Sequence, residues 1–232
     1  MAFDREVMQI AVATVEELHN RLVKQQRIDN EQLNGARALH ILRSIRDNET
    51  LKPRFSLILN QAIVLLVSYF GSTVEDIFRY ALSASLRGNS SSCLIKEELK
   101  VTIAELLDAM GNSEGGVASL FMEKKDLSFQ DMQAIQRAFR DFIGVEMGKD
   151  STVNNIILAQ ACRHVIVHAG GEVTPKLLRQ ISSAVPRDIK NEMAGYSIVQ
   201  FSQQEIQAVA QSMLRYLITL VEKTERILIS PV

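Results

Sequence analysis

Residues 163–168, Arg-His-Val-Ile-Val-His, place an arginine and two histidines in an apolar run of helical character, with Gly170 and Gly171 directly behind them. The residue types point to proton transfer beside a bound phosphate. Histidine, with a reference pKa near 6.5, moves protons at neutral pH and is the commonest general acid or base. Arginine keeps its charge and presents a planar fork that matches phosphate oxygens. Val165, Ile166 and Val167 are all β-branched, poor in an isolated helix and suited to a buried one. Burying them draws Arg163, His164 and His168 towards the interior or an interface, where charge needs a partner or a purpose.

Other chemistries fit less well. A helix with a polar stripe and no chemistry is the plain alternative. His164 and His168 are four apart and share a helix face, as zinc ligands do in the zinc-protease helix. That helix needs a glutamate after its first histidine, and Val165 stands there; His19 and His40 lie far upstream. No Cys-x-x-Cys exists, so neither a metal nor another cofactor is expected. Cys162 neighbours the histidines, but adjacent helix positions diverge and no third group orients a thiol–imidazole pair. "GNSEGG" (111–116) lacks the Gly-Lys-Ser/Thr ending of a phosphate loop. With no tryptophan and 6% aromatic residues, the chain offers no stacking platform for single strands.

Five residues of regular helix turn through roughly 500°, which leaves Arg163 and His168 about 140° apart. They meet if the last turn tightens before the glycine pair, or if two copies of the helix face each other across a twofold axis.

The elements that must position these residues are helical. In "DREVMQIAVATVEELHNRLVKQQ" apolar residues recur at three- and four-residue steps. A second helix follows, capped by Asp29-Asn30. Pro53 marks a break, and 54–87 forms one long helix or two, because Gly71-Ser72-Thr73 carries both stop and start signals. After a flexible "GNSSS" (88–92), the apolar spacing predicts a helix over 93–110, ended by "GNSEGG". Ser128 opens the next helix and Gly144 ends it. Ser151 or Thr152 caps the helix that bears the histidines. Thr174 and Pro175 open a short helix at the favoured proline position. The stretch 185–201 has no helical period, and "YSIVQF" (196–201) is the best strand candidate. Ser202 and Glu205, in capping-box spacing, start the last helix. The class is all-α, with a short irregular or hairpin segment before the final helix.

A composition of 47% hydrophobic and 23% charged residues suits a globular protein that buries a sizeable core. The formal net charge of −1 excludes nucleic-acid binding by bulk electrostatics alone but leaves room for a local basic site. Two cysteines without a disulfide pattern, and acidic Asp4 and Glu6 where a secretory leader is basic, point to the cytoplasm. The most apolar segment, residues 57–70, is shorter than the roughly 20 residues of a spanning helix, so no membrane association is expected.

"RHVIVH" (163–168) resembles the signature of the HEPN superfamily: arginine, a polar residue, a few apolar residues, then histidine near a helix end. The trailing "AGGEV" is similar to the glycine that often follows that histidine. "NQAIVLLVSYFGSTVEDIF" (60–78) is similar to the long helix of HEPN domains related to those fused to RNA-repair proteins, with an acidic residue after an aromatic-containing run. The resemblance covers residues 54–227 of a single domain spanning 1–232, with residues 1–50 as an extra N-terminal helical pair.

The resemblance implies an antiparallel HEPN-like helical bundle and a metal-independent endoribonuclease. Such enzymes are typically homodimers and belong to toxin–antitoxin and antiviral systems, where an antitoxin or regulatory protein is a further partner. Carried onto this chain, His168 is the general base or acid, Arg163 holds the scissile phosphate, and His164 assists. The acidic position maps to Glu75, less well to Asp76, and would orient Arg163. The alternative is a non-catalytic HEPN-like module that binds a nucleotide or a protein. One departure is that such ribonucleases carry more basic character. Residues 163–190 hold five Lys/Arg against two acids, a run that is usually a solvated face.

Overall fold

The computed structural model describes residues 9–10, 12–17, 20–21, 40–41, 43–44, 52–88, 93–94, 96–111 and 116–229. Among them the architecture is all-α, with no strand beyond one isolated antiparallel bridge. The chain divides into two compact units, Met1–Gln61 with Gln200–Gln203, and Ala62–Val199 with Gln204–Val232. In the smaller unit the described residues of the N-terminal stretches are helical, and Glu17 pairs with Arg21 at 2.5 Å one turn on. The expected Asp29-Asn30 cap and the "NSSS" connection lie outside the described residues.

The two-helix alternative for 54–87 gives way to one helix, α1, over Lys52–Gly88. Pro53 sits in its first turn, where a missing N–H costs nothing, rather than at a break. Gly71 does not stop the helix. A Cβ there would come within 3.2 Å of the Phe129 carbonyl oxygen, so glycine lets the 127–131 connection lie against α1. The buried stripe Ile63, Val67, Phe70, Val74, Phe78 and Leu82 follows the helical period. Phe78 is fully buried, with Phe129 and Phe139 ring centroids each 5.2 Å away. By length and composition, Leu57–Arg87 is also long and apolar enough to cross a membrane, with a third of its most apolar window buried. As folded, the helix runs well past the apolar segment 57–70 and exceeds the length of a spanning helix.

The helix expected over 93–110 is shorter. α2 covers Ile103–Gly111 and begins where Thr102 and Glu105 form a capping box: the Thr102 N–H donates to Glu105 Oε2 at 2.8 Å and the Glu105 N–H to Thr102 Oγ1 at 3.3 Å. That local pairing outweighs the apolar spacing upstream of it. α3, Gly116–Lys124, follows, and Lys124 reaches back to Glu105 at 2.6 Å.

α4, Met132–Ala138, is opened by Asp131 rather than Ser128, its carboxylate accepting from the Ala134 N–H at 2.9 Å. It runs into a π-helical turn, Phe139–Ile143, which Gly144 ends in the left-handed region at φ 81°. α5, Ser151–His168, is capped by Asp150 instead of Ser151 or Thr152. Its residues are buried on nearly every side through Val165, which makes it the central helix of the larger unit. α6, Pro175–Ile181, has the expected Thr174 cap. α7, Gln203–Ile229, starts directly after Ser202.

The strand expected at 196–201 reduces to a short pairing. Val173 N–H donates to Ser197 O at 3.0 Å and Val199 N–H to Gly171 O at 2.8 Å, around the bridge Glu172–Ile198.

Candidate functional site

α5 carries the arginine and both histidines, and polar side chains fix its place in the core. Asn155 is 1% exposed; its amide donates to Ser212 Oγ on α7 at 3.1 Å and to Asp188 at 3.2 Å, while its oxygen accepts from the Asp188 N–H at 3.0 Å. Asn154 donates to Pro186 O at 2.9 Å. Gln160 Oε1 accepts the Met132 N–H at 3.0 Å, which ties the start of α4 to α5. These bonds engage buried amides and fix how α5 is turned about its axis, hence where its last two turns point.

The helix ends as the glycine pair predicts. The N–H groups of Ala169 and Gly171 both donate to Val165 O, at 2.8 and 3.1 Å, and Gly170 and Gly171 have φ of 58° and 83°. Helical geometry persists to His168, so the last turn does not tighten to carry Arg163 towards it.

Arg163 and His164 line one cleft of about 580 Å3 between the start of α4, the middle of α5 and α6. Arg163 is half-buried, and its Nε is buried without a hydrogen-bond partner among the described residues. His164 and His168 are exposed, their ring centroids 4.9 Å apart, as the four-residue spacing predicts. His168 is not among the residues that line the cleft. In a single chain, then, the structure joins Arg163 to His164 and His164 to His168.

Glu75 does not orient Arg163. Its carboxylate accepts from Arg79 at 2.6 Å, and Asp76 takes the other arm of that guanidinium at 2.8 Å. One helical turn brings these partners together without closing any loop, so local pairing captures both acids. Glu75 lines a separate cleft of about 460 Å3 with Arg79, Glu123 and Asp126. No group of three or more His, Cys, Asp or Glu among the described residues is arranged to hold a metal ion.

The basic run 163–190 is a solvated face only in part: Lys176 and Arg179 are exposed, whereas Arg187 and Lys190 are not. Arg187 is 8% exposed and donates to the carbonyls of Ile181, Lys190 and Asn191 at 3.0, 3.3 and 3.1 Å. Lys190 pairs with Glu205 at 3.2 Å and lies 5.1 Å over the Tyr196 ring. These two cations hold the 185–199 segment together, whereas Arg179 lines the same cleft as Arg163. Cys162 is fully buried, and that burial pushes its thiol up to about 12, away from any nucleophilic role.

Of the cleft residues that sequence did not single out, Gln160 and Arg179 bring donors to it. Gln160 is polar at a core position of the buried helix, three residues before Arg163, a signal that was present. Arg179 carried none beyond its charge.

No family model matches this chain, and no curated protein or solved structure matches it either.

Proposed function

We propose that the protein is a metal-independent endoribonuclease of the HEPN type that acts on RNA as a cytoplasmic homodimer, in a toxin or antiviral stress response. The observation that carries the proposal is the shared cleft of Arg163 and His164, with the His168 ring in tilted contact with that of His164 at the end of α5. A guanidinium without a carboxylate partner among the described residues is free to hold a phosphodiester. The neighbouring imidazoles supply the proton relay. A twofold axis near the end of α5 sets His168 of one copy against the cleft of the other, which answers the separation of Arg163 and His168 within one helix.

In the reaction an imidazole takes the proton of a ribose 2′-hydroxyl, whose oxygen attacks the adjacent phosphorus. The bond from phosphorus to the 5′-oxygen breaks, that oxygen receives a proton, and a 2′,3′-cyclic phosphate is left. Arg163 stabilises the charge that builds on the non-bridging oxygens. Neither water nor metal enters the first step.

The test uses RNA and the same sequence with 2′-deoxyribose at the cleavage positions, both in EDTA. Cleavage of the RNA to cyclic phosphate and 5′-hydroxyl ends, with the deoxy version intact, is expected. Cleavage of both, or activity lost to EDTA and restored by a divalent cation, defeats the proposal.

A further inference from the structure

The cleft holds more hydrogen-bond donors than the proposed chemistry uses. Gln160 is 8% exposed and lines it. Its Oε1 is committed to the Met132 N–H at 3.0 Å, and because an N–H can only donate, the amide orientation is fixed. Nε2 is therefore the free end, buried and without a partner among the described residues. A buried amide donor left unmet is costly, so a ligand acceptor there is favoured. Arg163 Nε is a second buried donor in the same state. Arg179, from α6, brings a second guanidinium to the same wall of residues. The single carboxylate lining the cleft, Asp131, is engaged by the Ala134 N–H at 2.9 Å. Two guanidiniums and a buried amide donor thus share the cleft with one carboxylate, a balance that favours an oxyanion.

We infer that Gln160 and Arg179 form, with Arg163, a phosphoryl-binding cradle whose ligand is a backbone phosphate of a polynucleotide. The assignment to a polynucleotide rests on the ribonuclease proposal; the cradle itself rests on the donors. Arg163 and Arg179 approach from two helices and supply charge, while Gln160 supplies a neutral donor at the buried side of the cleft. Gln160 and Arg179 bind the strand so that His164 and His168 meet one ribose.

Binding tests the cradle without requiring cleavage. Inorganic phosphate, AMP and a short oligodeoxyribonucleotide, which lacks the attacking hydroxyl, are titrated onto wild type, Arg179→Met and Gln160→Glu. Gln160→Glu keeps the acceptor for Met132, removes the donor and sets a negative charge at the buried side of the cleft, which weakens a phosphate held there and spares one held elsewhere; Arg179 is exposed, so Arg179→Met leaves the fold intact. Each variant is expected to weaken oligonucleotide binding about tenfold, the effect of one charged hydrogen bond. Arg179→Met should also lower the slope of log affinity against log salt by about 0.7, one phosphate contact on a single strand. Unchanged affinity and slope in both variants, or no binding of any of the three anions to wild type, overturns the cradle. AMP binding as tightly as the oligonucleotide overturns the polynucleotide assignment. Oligonucleotide binding that falls in both variants, beside a wild type that cuts no RNA, upholds the cradle and defeats the ribonuclease proposal instead.

Discussion

At the scale of single residues the chain separates reactive from inert groups by burial. Cys162 shares a helix turn with His164 yet faces the core, and its pKa of about 12 leaves almost no thiolate at neutral pH. Cys93 is half-buried. A thiol reagent at pH 8 is therefore expected to modify Cys93 alone in the native protein and both cysteines in denaturant; rapid native modification of Cys162 would show that α5 is not the buried helix described. The 4.9 Å ring contact of His164 and His168 was legible from sequence, because it follows from helical period alone. Glu75 was not, because sequence cannot rank a distant arginine against one at i+4. The structure gives Glu75 to Arg79 at 2.6 Å. Charge counting along 163–190 failed for a related reason: Arg187 and Lys190 are spent on carbonyls and Glu205, which no count reveals.

At the scale of elements, most helices were legible, as were the starts of α6 at Thr174 and α7 after Ser202, whereas α3 and the starts of α2, α4 and α5 were not. Each missed start is a side-chain cap in competition with its neighbours: Asp131 over Ser128, Asp150 over Ser151, and the Thr102–Glu105 box over the apolar spacing of 93–110. Glu105 gives a testable pH effect. Lys124 and Thr102 hydrogen bonds hold its carboxyl down at about 2 from an ordinary 4.5. A group whose pKa is depressed by folding stabilises above its unfolded value and loses that contribution as pH falls through the folded one. The start of α2 should loosen between pH 4.5 and 2, and Glu105→Gln should flatten the melting-temperature decline over that window; an identical decline in the variant would contradict the cap. In α1, Gly71→Leu pushes a side chain against the Phe129 carbonyl and should destabilise by about 1–3 kcal/mol. Phe78→Ala empties the aromatic cluster and should lose about 3–5 kcal/mol, both read by denaturant titration. A neutral Gly71→Leu would mean that the glycine reflects no close approach.

At the scale of the whole molecule, the all-α class was legible because period and caps agree over most of the chain, whereas the membership of the cleft depends on three helices meeting and has no local signature. Large apolar residues are left exposed at helical spacing, Ile103, Leu107 and Met110 on α2 and Leu214 and Ile218 on α7. Together with the separation of Arg163 and His168, they lead us to expect a dimer at micromolar concentration with an interface above about 1,000 Å2. A monomer by sedimentation would contradict the composite cleft. The most direct test of the central proposal compares wild type, Arg163→Ala and His168→Gln for RNA cleavage in EDTA, with melting temperature and sedimentation measured on the same preparations. The account predicts cleavage by wild type alone, with the fold and association state unchanged in both variants. Cleavage by His168→Gln at the wild-type rate, or a wild type that leaves every RNA intact while His168→Gln melts several degrees lower, would show that the two histidines and the arginine are structural.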